Sequence, residues 1–70
     1  MIRLFSASWC ARCDIIKDEL VRQGVKFEVI DVDSNPSIVN ALNIRSLPTV
    51  VKGEEVLVNP SLQDVRELVK

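Results

Sequence analysis

Histidine and tyrosine are absent from this 70-residue chain, and one tryptophan and two phenylalanines are its whole aromatic content. Without histidine, a single copy can hold no Ser-His-Asp triad, no Cys-His dyad and no His-ligated metal. Glycine occurs only as the isolated Gly24 and Gly53, so no Gly-rich loop is available to cradle a phosphate. Neither charge sign dominates. Nine Lys and Arg stand against ten Asp and Glu, scattered along the chain, which argues against a nucleic-acid binder. No apolar run approaches the roughly 20 residues of a membrane-spanning helix, so no membrane association is expected. Met1 to Phe5 lacks the basic region, apolar stretch and small-residue cleavage site of an export signal, and a cytoplasmic location is expected.

What remains is 47% hydrophobic and 27% charged, the composition of one soluble globular domain over residues 1–70, expected to be monomeric. A chain this short buries only about 60% of its unfolded surface, so its local signals must agree. Ile2 to Phe5 reads as a strand. Residues 11–23 read as a helix, with Cys13, Ile16 and Leu20 on the apolar face, Ile15 and Val21 widening it, and Asp18–Arg22 as an i,i+4 pair. Gly24 is placed to end it. Lys26 to Asp33 alternates as a strand. Asn35-Pro36 opens a second helix, Asn as N-cap and Pro first, with Ile38, Val39 and Leu42 as its apolar side and Asn43 to close it. Thr49 to Lys52 and Glu55 to Val58 read as a hairpin joined by Gly53-Glu54. Ser61 with Asp64 resembles a capping box for a last helix whose apolar face is Leu62, Val65, Leu68 and Val69. The order βαβαββα implies an α/β fold: a right-handed parallel βαβ crossover, then an antiparallel hairpin, in one four-stranded mixed sheet with three helices on its two faces.

Strong chemistry is confined to one cluster, Trp9-Cys10-Ala11-Arg12-Cys13. Two cysteines one helical turn apart lie within the reach of a disulfide, about 4.4–6.8 Å between Cα atoms, and can cycle between dithiol and disulfide. Cys10 stands at the strand-to-helix transition, where free N–H groups and the helix dipole favour an anion, and Arg12 adds positive charge; both lower the thiol pKa. Cys13 falls on the inward face. That asymmetry makes Cys10 the attacking thiol and Cys13 the resolving one. A tetrahedral zinc site wants four ligands and one chain offers two cysteines, so no metal is expected within a chain. A metal or iron–sulfur cluster shared across a dimer remains open as an alternative.

Trp9-Cys10-x-x-Cys13 after a strand, Asp33-x-Asn35-Pro36 opening a helix, and Ile44-Arg45-Ser46-Leu47-Pro48-Thr49 before a hairpin resemble the core of thioredoxin. The trimmed βαβαββα order is similar to small glutaredoxins and to glutaredoxin-like electron donors of ribonucleotide reductase. The resemblance implies a thiol–disulfide oxidoreductase with no cofactor beyond its redox-active disulfide. It implies a disulfide-containing protein as substrate, a larger enzyme such as ribonucleotide reductase as acceptor, and recharging by a thioredoxin reductase-like enzyme or by glutathione. Oxidase or isomerase activity is set apart by potential rather than by sequence. The resemblance further implies that Pro48 is a cis-proline beside the cysteines, and that Leu47 offers backbone groups to an extended substrate. Trp9, Ala11, Arg12, Asn59 and Pro60 complete the expected substrate-binding rim.

Three positions depart from the family pattern. Leu4 stands where thioredoxins carry a buried acid, and Val29 stands at the position of its lysine partner, so no buried carboxylate is expected to assist Cys13. Ala11-Arg12 replaces the Gly-Pro of thioredoxin and the Pro-Tyr of glutaredoxin, and Arg12 is expected to favour the thiolate. Asn59-Pro60-Ser61 replaces the Gly-Gly turn with which glutaredoxins receive glutathione.

Overall fold

The computed structural model describes residues 1–70, in the order β1 (Ile2–Ser6), α1 (Ala11–Arg22), β2 (Phe27–Asp31), α2 (Pro36–Leu42), β3 (Thr49–Lys52), β4 (Glu55–Val58) and α3 (Leu62–Leu68). The strands form one sheet in the order β2-β1-β3-β4. β1 pairs in parallel with β2 and antiparallel with β3, and β3 pairs antiparallel with β4. Register places Ile2 and Leu4 beside Phe27 and Val29 on one side and beside Lys52 and Val50 on the other. Residues paired in this way share a face of the sheet.

That face carries the larger core. Ile2, Leu4 and Val50 are buried with Ile16 and Leu20 of α1 and with Val65 and Leu68 of α3. Each fully buried aliphatic side chain contributes about 1.5–3 kcal/mol. Phe5, Ile30 and Thr49 point the other way and are buried there too.

Turn chemistry closes the elements. Gly24 follows α1 at φ +70°, and Gly53 takes φ +60° ahead of Glu54, as a Gly-first hairpin turn requires. Asn43 ends α2 in the left-handed region at φ 56°. Ser61 and Asp64 exchange reciprocal bonds at the start of α3, with Asp64 N–H donating to Ser61 Oγ over 3.1 Å and Ser61 N–H donating to Asp64 Oδ2 over 3.0 Å.

Several local expectations are corrected. Arg22 pairs with Glu19 at 3.2 Å, one turn back, rather than with Asp18. Glu19 is the cause: it is buried, and it also accepts from Gln23 at 2.6 Å and from Arg66 of α3 at 3.2 Å. Ile15 and Val21 lie exposed, because the inward stripe of α1 is Cys13, Ile16, Glu19 and Leu20. α2 buries none of its residues fully, and Ile38 and Leu42 remain exposed. The Asn35 side chain does not cap α2; its Nδ2 donates backward to the Asp31 carbonyl over 2.9 Å. Asp33 lies beyond β2, because Asp31 bends the chain by accepting from Asp33 N–H and Ser34 Oγ.

Candidate active site

The site lies where β1 runs into α1. Val32 N–H donates to Ser6 O over 2.9 Å, extending the parallel ladder, and Cys10 N–H donates back to Ala7 O over 3.1 Å. This closes a turn that delivers Cys10 to the N-cap of α1 in an extended conformation. A residue at that position faces N–H groups with no helical partner. Here the Cys10 sulfur accepts from Cys13 N–H at 3.2 Å. Ordinarily Ser, Thr, Asn or Asp supplies that acceptor. Here a sulfur takes that place, with a backbone N–H of the first helical turn directed at it.

Cys10 and Cys13 form a disulfide with 5.4 Å between Cα atoms. Their surroundings differ. Cys10 keeps 9% of its surface exposed, while Cys13 keeps none and its sulfur lies 3.9 Å from the Phe5 carbonyl oxygen. The pair forms a second small core with Ala7, and Val32 and Leu47 pack against it. No three His, Cys, Asp or Glu side chains converge to hold a metal.

The other residues expected at the site are distributed around this pair. Trp9 is 68% exposed, and its indole N–H donates to Asp33 Oδ2 over 3.1 Å. Ala11 is the exposed first residue of α1. The Leu47–Pro48 peptide bond is cis, and Pro48 is buried. Asn59 N–H donates to the Pro48 carbonyl over 2.8 Å, which joins the β4–α3 turn to the start of β3. Arg12 reaches that same turn: its Nε donates to Asn59 Oδ1 over 3.0 Å and its Nη2 to the Pro60 carbonyl over 3.2 Å. Its assigned bonds lead to the turn, and none leads to a cysteine sulfur.

Beside the pair is a hollow of about 160 Å³ lined by Trp9, Val32, Val39, Ile44, Arg45 and Leu47. Of these, the sequence marks only Trp9 and Leu47 as site residues. Val39 stands in the sequence on the apolar side of α2, and Ile44 and Arg45 in a motif. Asp33 stands in the sequence only as part of a motif; its bond to Trp9 spans 24 residues and leaves no local signal.

A thioredoxin-type sheet with a Cys-x-x-Cys disulfide at a helix N-terminus defines the class, and comparison with known proteins gives the family. The chain matches the glutaredoxin family over residues 2–57 and belongs to it. The glutaredoxin-like protein NrdH-redoxin from Escherichia coli, described as having a thioredoxin-like activity profile, superposes with a TM-score of 0.85 at 27% identity, covering 96% of this chain and 92% of that one. The glutaredoxin of Archaeoglobus fulgidus gives a TM-score of 0.86 at 27% identity over 99% of this chain and 85% of its own. Thioredoxin H2 of Arabidopsis thaliana is 33% identical over 60 residues, 74% of this chain. The chain spans 45% of the length of that curated relative. The family is one of thiol–disulfide oxidoreductases, and the Cys10–Cys13 disulfide fits that class.

Proposed function

We propose that this protein reduces protein disulfides through a Cys10/Cys13 dithiol, acting in the cytoplasm as a monomer and passing electrons to a larger enzyme such as a ribonucleotide reductase. One observation supports the assignment of roles: Cys10 is the N-cap, keeps 9% of its surface exposed and accepts the Cys13 N–H at its sulfur, while Cys13 keeps none. The Cys10 thiolate attacks one sulfur of the target, forming a mixed disulfide and releasing the other target sulfur as a thiolate, which takes up a proton. Cys13 then loses its proton and attacks Cys10 Sγ. The Cys10–Cys13 disulfide forms, the mixed disulfide breaks, and the second target sulfur leaves and is protonated. The dithiol gives up two electrons and two protons in all.

Trp9, Leu47 and the hollow between them offer an apolar landing for the segment flanking a target disulfide, and the cis-Pro48 loop borders it. No metal or organic cofactor takes part in this scheme. Recharging by a thioredoxin reductase-like enzyme is favoured over glutathione, because the Asn59–Pro60 turn is already engaged by Arg12.

The test is trapping with a protein disulfide such as that of insulin. Cys13→Ser accumulates a covalent adduct visible on a non-reducing gel, and Cys10→Ser gives neither adduct nor turnover. An adduct on Cys10→Ser reverses the roles. Stoichiometric metal bound to the freshly reduced protein contradicts the reading and favours a metal shared between copies.

A further inference from the structure

Sequence alone suggests that Arg12 acts by charge, favouring the Cys10 thiolate. Its contacts suggest another task. The planar guanidinium spans two acceptors on one turn, the Asn59 side chain at 3.0 Å and the Pro60 carbonyl at 3.2 Å. Asn59 is held at φ 50°, a left-handed conformation that an asparagine tolerates but does not prefer. Its N–H in turn donates to the Pro48 carbonyl over 2.8 Å. A continuous series of hydrogen bonds therefore runs from the first turn of α1, across the β4–α3 turn, to the proline loop. Leu47, next to that proline, packs on the cysteine pair, so the series returns to the residues it started beside.

We propose that Arg12 is a positioning residue: a clasp that fixes the Asn59–Pro60 turn, and through it Pro48, against the cysteine helix, so that the rim around Cys10 is preformed for an extended protein segment. This rests on the reading that protein disulfides are the substrate. A preformed rim saves the ordering cost that a loose one would impose on binding. The clasp acts on association with a large substrate rather than on the sulfur chemistry.

Lysine keeps the charge but cannot place two donors in a guanidinium's fork geometry. Arg12→Lys and Arg12→Gln are therefore both expected to raise KM for a protein disulfide about fivefold with little change in kcat, the loss of one or two modest hydrogen bonds. Asn59→Gly removes the Nε acceptor while keeping the backbone conformation accessible. It should raise KM alone and add little in the Arg12→Lys background, as coupled neighbours do. Amide exchange at Asn59 should speed up in every Arg12 variant. If Arg12→Lys matches the wild type while Arg12→Gln shifts the Cys10 thiolate titration, the residue acts by charge and the clasp is overturned. Unchanged Asn59 exchange overturns it equally. Should the wild type fail to reduce any protein disulfide, the substrate reading falls, and Asn59 exchange still decides the clasp.

Discussion

The two buried clusters are built by different means. The larger one takes Ile2, Leu4, Ile16, Leu20, Val50, Val65 and Leu68 from four regular elements, all aliphatic and all locked by sheet register or helix period. The smaller one joins Ala7, Cys10 and Cys13, with Val32 and Leu47, and draws on the chain beyond the ends of strands. Around it, beside the Cys10–Cys13 disulfide, lie a few bonds between segments: Trp9 to Asp33, Arg12 to Asn59 and Pro60, Asn59 to Pro48. Dispersion and apolar burial stabilise the first region, which can be repacked but not removed. The second is smaller, and a disulfide and directional bonds stand in it beside the apolar packing.

The comparison breaks most sharply at Leu4. It is fully buried against both helices of the main face, and Leu4→Ala should cost about 2–5 kcal/mol of unfolding free energy. In a domain this small that is a large share of the total. Urea unfolding should show the midpoint falling with the slope unchanged. A loss confined to the cysteine region, with the midpoint intact, would show that the two clusters are not ordered as described.

A smaller effect sharpens the frame's one polar element. Glu19 lies between α1 and α3, and its carboxyl is held below its ordinary value of 4.5, first by the bond from Gln23 and next by the bond from Arg66, with the charges of Arg66 and Arg22 acting in the same sense against the cost of burial. The lowered folded-state value means that the unfolded chain binds the proton more readily. The stability it contributes is therefore complete above the unfolded value and is lost as pH falls through the folded one. Glu19→Gln should flatten the acid limb of a stability–pH profile below about pH 4.5 and leave the neutral region's slope alone. An identical acid limb in wild type and variant would place the titration elsewhere.

Wherever local rules suffice, the fold was legible in the sequence. The helices at 11–22 and 62–68, the Gly53-Glu54 turn and the Ser61–Asp64 box follow from period, capping and turn chemistry. Misreadings came where tertiary partners overrode local ones. Arg22 pairs with Glu19 rather than Asp18 because Glu19 is the buried carboxylate, one oxygen of which takes Arg22 while the other takes Arg66 of α3. Ile15 and Val21 are apolar but fall just outside the stripe, and no count of hydrophobic residues distinguishes them from Ile16 and Leu20. At the site, the Cys10–x–x–Cys13 spacing was visible at once. The bonds of Arg12 were not, because its partners lie 47 and 48 residues away and a charge beside a cysteine invites an electrostatic reading first.

The most direct test of the reductase assignment is the reduction potential of the Cys10–Cys13 couple, measured by equilibration in defined glutathione buffers with Trp9 fluorescence as the readout. A value of roughly −220 mV or more negative is predicted, low enough to drive electrons into protein disulfides in a reducing compartment. A value of roughly −120 to −180 mV would contradict the account and mark an oxidase or isomerase instead.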